Sequence, residues 1–419
     1  MDEIRINVPE NVCAVLDRLT QAGYEAFVVG GCVRDSLLGR QPNDWDVTTS
    51  ARPRQVKKLF RRTVDTGIKH GTVTVLTGGA GVEVTTYRID GSYSDGRHPD
   101  SVTFTENLIG DLERRDFTIN AMAYHPQAGL VDAFDGIGDL RRHVVRCVGD
   151  PDRRFGEDAL RILRAVRFAA QLNFSIEEET REAVRRAAPN LHSVSAERIR
   201  TEFVKTIDSD HPECFDEARK LGITACFLPE YDAMCASDPE AAGRAAHQMR
   251  QVRPETPLRA AVLFAGFGRD VQESTQMADR ILRRLKSDND TREKTMRLIA
   301  CSQMAYTLEE KDIRRALHDA GEDIFPDLIA VQTAQTDDPD RKAFYSRVLE
   351  KARAVQAEGQ CFRLSDLAVG GRDLIAAGVR PGPEIGKILD AMLDAVIEDP
   401  SLNNKDILIE QLPQFRHLS

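Results

Sequence analysis

The 419-residue sequence has no apolar run of membrane-spanning length, no Cys-x-x-Cys pair or other zinc-type spacing among its eight cysteines, no low-complexity tract and no exact internal repeat. Each absence removes a class of protein. No helical membrane span is expected without about 20 consecutive apolar residues, and neither a disulfide framework nor a zinc module is indicated. The opening segment MDEIRINVPENVCAVLDRL is acidic at its start and carries no basic leader, so no signal peptide is expected and the cysteines read as reduced thiols in a cytoplasm. A net positive charge is missing too: the formal charge is -10, which argues weakly against nucleic acid as a partner. That average hides local segregation. Residues 50 to 70 hold Arg52, Arg54, Lys57, Lys58, Arg61, Arg62 and Lys69 against Asp65 alone, and a basic patch on an acidic chain suits selective RNA docking.

What is present is enough for several cores. With 41% hydrophobic and 30% charged residues, the chain reads as about two to four domains. Up to about residue 145, short β-rich runs (AFVVGG, GTVTVL, VEVTTYR, SVTFT) alternate with Gly-rich turns and helical stretches, the pattern of an α/β head. From Arg153 onward the apolar period is that of helices, and no strand is expected beyond Val148. Helix-stopping signals at HPEC near 211, RPETP near 253 and QTDDPD near 336 suggest further divisions. The expected domains are 1–148, 149–210, 211–335 and 336–419.

The most informative stretch is FVVGGCVRDSLLG followed by NDWDV. Phe27 to Val29 read as a buried strand, Gly30 and Gly31 allow close backbone approach to a ligand, and the following helix start aims N–H groups at an anion. Asp44 and Asp46, two apart on an expected strand, would share a face while Trp45 points inward. Hard Mg²⁺ prefers such oxygen ligands, and metals held this way serve nucleotidyl transfer. Alone, Gly30-Gly31 is equally the pattern of an ordinary turn, and DxD that of a solvated edge.

Three other elements carry charge in telling places. In VEVTTYR, Glu83 is a candidate third carboxylate beside the aspartates or an exposed strand glutamate. In DLERRDFTINAMAY, Arg114, Arg115 and Asp116 could clamp phosphates or ribose, or form a surface cluster. Within DPDRRFGEDALRILRAVRFAAQLNF, one amphipathic helix is expected, with Leu160, Ile162, Leu163 and Val166 on one side and Glu157, Arg161 and Arg164 on the other. Asp158, Arg161, Arg164 and Arg167 follow an i, i+3 ridge, and so many arginines repel one another unless an anion answers them.

The spacing GGxVRDxLLGxxxxDxD resembles the signature of the tRNA nucleotidyltransferase and bacterial poly(A) polymerase family, and RRDFTINA and EDxxR (Glu157, Asp158, Arg161) are similar to its further motifs. The resemblance implies an α+β fold: a polymerase-β-like head with a mixed sheet, then all-helical neck, body and tail. It implies Mg²⁺ on Asp44 and Asp46, with Glu83 a catalytic candidate. Gly30, Gly31, Arg34, Arg115, Asp116, Asp158, Arg161, Arg164 and Arg167 would bind nucleotide. Glu157, Asp158 and Arg161 would select the base: a carboxylate accepts from the exocyclic amine of cytosine or adenine and a guanidinium donates to the ring nitrogen. Uracil and guanine reverse both groups, and each unpaired polar group costs about 1–3 kcal/mol. The partners implied are tRNA, CTP and ATP, with no membrane and no other protein.

SAERIRTEF at 195 to 203 reads as a supporting helix start, and the last 60 residues are similar to the family's tail. One departure stands out. Where many relatives carry a His-Asp pair, LRAAVLFAGFGRD places Ala265 and Gly266, so no hydrolytic metal site is expected there and His247 reads as a lone helix histidine. The activity implied is addition of CCA to tRNA 3′ ends. CC-only, A-only and poly(A)-adding relatives are the rivals, with a silent RNA-binding homologue further off; the Gly- and Asp-rich segment RIDGSYSDGRHPD favours full CCA addition or is a solvated connector.

Overall fold

The computed structural model describes residues 4–91 and 101–416, and it divides into two compact units, Met1–Ser237 and Asp238–Ser419. Residues 92–100, most of the RIDGSYSDGRHPD segment, lie outside the described residues.

Strands of the first unit are β1 Ala26–Val29, β2 Asp46–Thr49, β3 Thr63–Gly67, β4 Thr72–Thr77, β5 Ala80–Thr86, β6 Arg88–Asp90, β7 Val102–Phe104, β8 Met122–His125, β9 Gly129–Asp132, β10 Val144–Val145 and β11 Ser175–Ile176. Seven form one sheet in the order β3-β4-β5-β2-β1-β8-β9. The sheet is mixed because β2 runs parallel to β5 while its other pairs are antiparallel. Alternation fixes what each face carries: Val73 and Val75 on β4 and Val82 and Val84 on β5 are buried, which turns Thr72, Thr74, Glu83 and Thr85 to the opposite face. The SVTFT run pairs β7 with β6 in a separate two-stranded ribbon.

Nine helices of this unit matter here: α1 Glu10–Gln21, α2 Gly31–Leu37, α3 Pro53–Leu59, α4 Leu108–Glu113, α5 Gly136–Arg142, α6 Pro151–Glu157, α7 Leu160–Leu172, α8 Glu178–Ala187 and α9 Ala196–Ile207. A core of Val29, Tyr87, Leu108, Leu112, Ala121, Ala123 and Val148 ties β1 and β8 to α4 and to the segment leading into α6.

Two expectations are corrected. Residues 150–174 do not form one helix: the chain breaks at Asp158, whose backbone is extended (φ -144°, ψ 105°). Its Oδ1 accepts from the Leu160 N–H at 3.0 Å, and a short acidic side chain that captures a nearby backbone donor starts a new helix instead of continuing the old one. Also, a strand exists beyond Val148: β11 pairs in parallel with β10 over two residues. So short an element has too few residues to show a period of two.

The described residues of the second unit are helical, from Ala241–Gln251 to Leu412–Arg416. Its last helices close over Ile388, Met392, Val396, Leu408 and Phe415. Ala265 ends the helix Thr256–Phe264, and the exposed His247 lies 3.3 Å from Asp337. Among the described residues no group of three or more His, Cys, Asp or Glu is arranged to hold a metal, and no helix is long and apolar enough to cross a membrane.

The break before α7 generates a prediction. Asp158→Ala removes the cap and lowers unfolding free energy by about 0.5–2 kcal/mol in urea titration, whereas Asp158→Asn, which can cap as well, keeps most of it.

Candidate active site

A cavity of about 810 Å³ opens in the first unit where β1, α2 and the start of β2 face α7 and the end of α9. That volume lies within the range of small-molecule sites, about 300–1,000 Å³. Gly30, Gly31, Arg34, Asp44, Asp46, Arg115, Asp116, Arg164 and Arg167 all line it. Gly30 sits at φ 82°, and a Cβ there would come within 3.0 Å of Arg115 Nη1. Glycine is needed at that point for conformation and for room.

The pair Asp44 and Asp46 straddles the start of β2 instead of lying wholly on it: Asp46 is the first strand residue, Asp44 precedes it, and Trp45 is half-buried. Parallel pairing sets Glu83 of β5 opposite Asp46, so the two carboxylates project from adjacent strands. Loss of hydration pushes the Asp46 carboxyl above its ordinary value, the negative charges of Glu83 and Asp44 add to this, and Arg115 opposes it. One carboxylate that resists its own ionisation, with two more beside it, suits a hard cation, with ligands beyond the carboxylates supplied by phosphate oxygens and water.

The arginines are fixed from behind. Arg34 donates through Nε to Asp35 at 2.8 Å and through Nη1 to Asn120 Oδ1 at 2.6 Å. Asn120 in turn donates to Asp116 Oδ1 at 3.1 Å, and Asp116 Oδ2 receives Arg164 Nε at 2.7 Å. Burial would raise the Asp116 carboxyl, but Arg164 and Asn120 outweigh it and hold it well below the carboxylate range. Arg167 pairs with the buried Glu202 of α9. Arg34, Arg164 and Arg167 all lie over the Phe168 ring, at 4.9, 5.3 and 4.0 Å from its centre, so one aromatic face offsets part of their mutual repulsion.

A smaller cavity, of about 210 Å³, meets the larger at common lining residues. It shares Asp46 and Arg115 with the larger one and adds Glu83, Arg88 and Arg114. Behind both stands Asp111, fully buried, which accepts from Thr48 Oγ1, Arg114 and the Arg88 backbone and lies 3.5 Å from Arg115 Nη2. Burial raises the Asp111 carboxyl, and Arg114 and Arg115 reverse this, leaving it below its ordinary value.

Glu157, Asp158 and Arg161 line neither cavity. Arg161 donates to Glu157 at 2.7 Å, to the Arg154 carbonyl and to the Arg114 carbonyl at 3.0 Å, which sets it against the segment whose next residues, Arg115 and Asp116, do face the larger cavity. Asp158 pairs with Arg198 of α9 at 2.7 Å. Anions within the protein therefore answer the arginine ridge: Glu157, Asp116 and Glu202. Sequence reasoning passed over Asp111, Asn120 and Phe168. Asp111 was detectable as a carboxylate three and four residues before Arg114 and Arg115 on a helix; Phe168 carried no signal beyond its apolar position.

Comparison with known proteins decides the family. The Poly A polymerase head domain matches residues 26–146, the Probable RNA and SrmB-binding site of polymerase A residues 173–235, and a tRNA nucleotidyltransferase domain 2 residues 266–412. The CCA-adding enzyme of Lactobacillus delbrueckii subsp. bulgaricus is 37% identical over 422 residues, covering 98% of this chain and all of that one. The chain belongs to the CCA-adding enzyme family. The CCA-adding enzyme of Lactobacillus helveticus is 38% identical, over 95% of each chain. Among solved structures, the Bacillus stearothermophilus CCA-adding enzyme in complex with CTP superposes with a TM-score of 0.81 at 31% identity, covering 98% of each chain. The Thermotoga maritima CCA-adding enzyme complexed with tRNA shares the fold, with a TM-score of 0.63 at 21% identity over 99% of this chain and all of that one. Membership makes this a tRNA nucleotidyltransferase with a polymerase-β-like head and helical domains, and implies use of a divalent metal ion.

Two outcomes follow from the electrostatics. A raised native carboxyl means that ionising Asp46 costs folding free energy; that cost is absent below the ordinary value of 3.8 and complete above the native one. Metal-free Asp46→Asn is thus expected to melt higher than the parent at pH 7 and equally below pH 3.8, a difference that thermal scans at the two pH values measure. Asp111 is the opposite case, stabilising above its unfolded value and losing that contribution as pH falls through the depressed native one. Asp111→Ala leaves Arg114 and Arg115 without their buried counter-charge, and chemical denaturation at pH 7 is expected to register a loss of about 3–5 kcal/mol.

Proposed function

We propose that this chain adds C, C and A in turn to tRNA 3′ ends from CTP and ATP, without a nucleic-acid template and with release of pyrophosphate. The observation that carries the reading is the meeting, in one cavity, of the Asp44–Asp46 pair with the Gly30-Gly31 turn and a set of pre-positioned arginines. In it Asp44 and Asp46 would hold Mg²⁺, which would supply Lewis-acid activation of the acceptor 3′ hydroxyl and offset phosphate charge. Gly30 and Gly31 let the backbone approach the triphosphate. Arg34, Arg115, Arg164 and Arg167 balance its charge, and because their carboxylate partners already fix them, little reorganisation is left for the reaction itself. Asp116 orients Arg164 toward the nucleotide. Glu83 assists the aspartate pair.

Base selection is assigned to Asp158 and Arg161, supported by Glu157. Their side chains retain 17% and 11% exposure, and for a base to be read there Asp158 must exchange Arg198 for the exocyclic amine and Arg161 must turn from its internal acceptors. A second reading rests on the cap that Asp158 gives α7: the EDxxR element acts as a structural hinge, and discrimination resides elsewhere in the cavity.

Residues 1–148 serve as head and 149–210 as neck, while the body, 211–335, and tail, 336–419, hold tRNA. Exposed Arg52, Arg54, Lys58, Arg61 and Arg62 on and after α3 offer a further phosphate-binding surface, with Lys57 engaged by Asp65 at 2.8 Å. Eight free cysteines suit a reducing cytoplasm.

The test offers tRNA lacking its 3′ end labelled CTP, ATP, UTP and GTP, singly and in pairs. Growth by three residues with CTP plus ATP is expected; an A ladder means polyadenylation, a stop at two means CC addition, and a single A means A-only addition. Replacing Asp44 and Asp46 together with alanine abolishes incorporation and leaves tRNA binding in place, which a silent RNA-binding homologue would not require. Asp158→Ala and Arg161→Ala are expected to admit UTP at roughly tenfold or greater relative efficiency; unchanged discrimination would assign EDxxR to the hinge reading.

A further inference from the structure

Strand alternation gives the head sheet two different faces. Asp46 pairs with Glu83 and Glu83 with Thr74, so these stand on one side, the catalytic one, while the buried Val73, Val75, Val82 and Val84 point to the other. α3 covers that second side: it packs on β4 and β5, with α1 next to it, and buries Pro53 and Val56. Lys57 of α3 reaches Asp65 of β3 at 2.8 Å, across the same side. A helix is about 10–12 Å across, so the outward surface of α3 has the sheet and the width of a helix between it and the acidic corner.

That outward surface carries the basic cluster. Pro53 at the first turn and Gln55, whose Oε1 accepts from the Arg52 N–H at 2.7 Å, start the helix so that Arg54 and Lys58 lie four apart on one exposed side. Arg52, Arg61 and Arg62 flank them and are exposed too. With Lys57 matched to Asp65, none of these five is ion-paired among the described residues. Nearby acids do not cancel them: Glu25 lies beside Ser50, and α1 exposes Glu10 and Asp17 against Arg18, so three of the five positive charges remain. Like charges four apart weaken a helix, and here no carboxylate of the protein answers them, in contrast to the cavity arginines. The exposed large apolar side chains of β3 and β4, Val64 and Leu76, stand on the catalytic side with Thr74, so among the described residues of these elements the basic side offers phosphate contacts without the apolar centre of a protein interface. Four of its five cations are arginines, which grip phosphate oxygens with two N–H groups at once.

We propose that the outer surface of α3 is a second RNA-docking site, which holds the sugar-phosphate backbone of an RNA other than the one whose 3′ end occupies the catalytic cavity. A nucleic-acid duplex is stiff over far more than the width of a domain, so a stem that delivers its end to the acidic corner does not bend round the sheet to this side. Contacts to phosphates alone make the site indifferent to base sequence. The inference rests on the proposed function only in assigning the cavity to tRNA.

The test uses a fluorescent 12-nucleotide uridine strand with a 3′ phosphate, which cannot be extended. It is titrated by anisotropy into the full chain already saturated with tRNA lacking its CCA end, without CTP or ATP. Binding is expected to persist at one probe per protein–tRNA complex, with log K falling against log salt at a slope of about −2 to −3.5, as for roughly three to five phosphates of a single strand. Combining Arg54→Gln, Lys58→Gln, Arg61→Gln and Arg62→Gln should weaken the probe at least about tenfold and flatten the slope by about two to three. Combining Arg54→Lys, Arg61→Lys and Arg62→Lys, which keeps the charge, should leave the slope in place, and equal thermal midpoints show that both variants are folded. The site is overturned if tRNA displaces the probe one for one, which makes α3 part of the substrate contact, or if the glutamine variant binds the probe as the parent does. It is also overturned if polyglutamate of the same length competes as well as unlabelled RNA, which reassigns the surface to an acidic protein. A parent that binds the probe but not tRNA removes the proposed function and leaves the docking site standing.

Discussion

The site depends on carboxylates that hold arginines still. Asp35 fixes Arg34, Asp111 fixes Arg114 and lies beside Arg115, Asp116 fixes Arg164, and Glu202 fixes Arg167. A guanidinium buried alone is costly, and several sharing one cavity would repel each other. Pairing each from the protein side removes most of that cost and sets the direction of the remaining N–H groups. Phe168 adds to the carboxylates, with its face under three of the five arginines that line the larger cavity.

Opposed to that neutralised wall is a deliberately unbalanced one. Lost hydration and the charges of Glu83 and Asp44 raise the Asp46 carboxyl against the opposing Arg115, so ionising it costs folding free energy. Such sites exchange stability for readiness to bind a cation. The parallel pairing of β2 with β5 creates the corner, since it alone sets Glu83 level with Asp46.

Much of this was legible in the residues. The Gly30-Gly31 turn, the aspartate pair, Arg115 and Asp116 of the RRD segment, and Arg164 and Arg167 were all expected to bear chemistry, and they line one cavity. Their signal is strong because turns, period-two alternation and charge placement are local properties. The EDxxR element was legible as a motif but not as geometry: the chain break at Asp158 puts Glu157 and Arg161 on two helices, and their contact survives the break. A single-helix projection could not anticipate that, because the decisive interaction is a side chain capturing one backbone N–H.

The sequence by itself determined the fold class, an α/β head followed by helices, the family, and which residue types confront an anion. Those follow from periodicity and from short-range spacing. Only the tertiary structure decided that Asp111 stands behind two arginines, that Phe168 gathers three, that Glu83 lies level with Asp46, and that a second cavity adjoins the first. The pairing of Asp46 with Glu83 and the seating of Arg34 on Phe168 join residues tens of positions apart. Burial gives them their strength, and burial is a property of the packed chain that no local pattern carries.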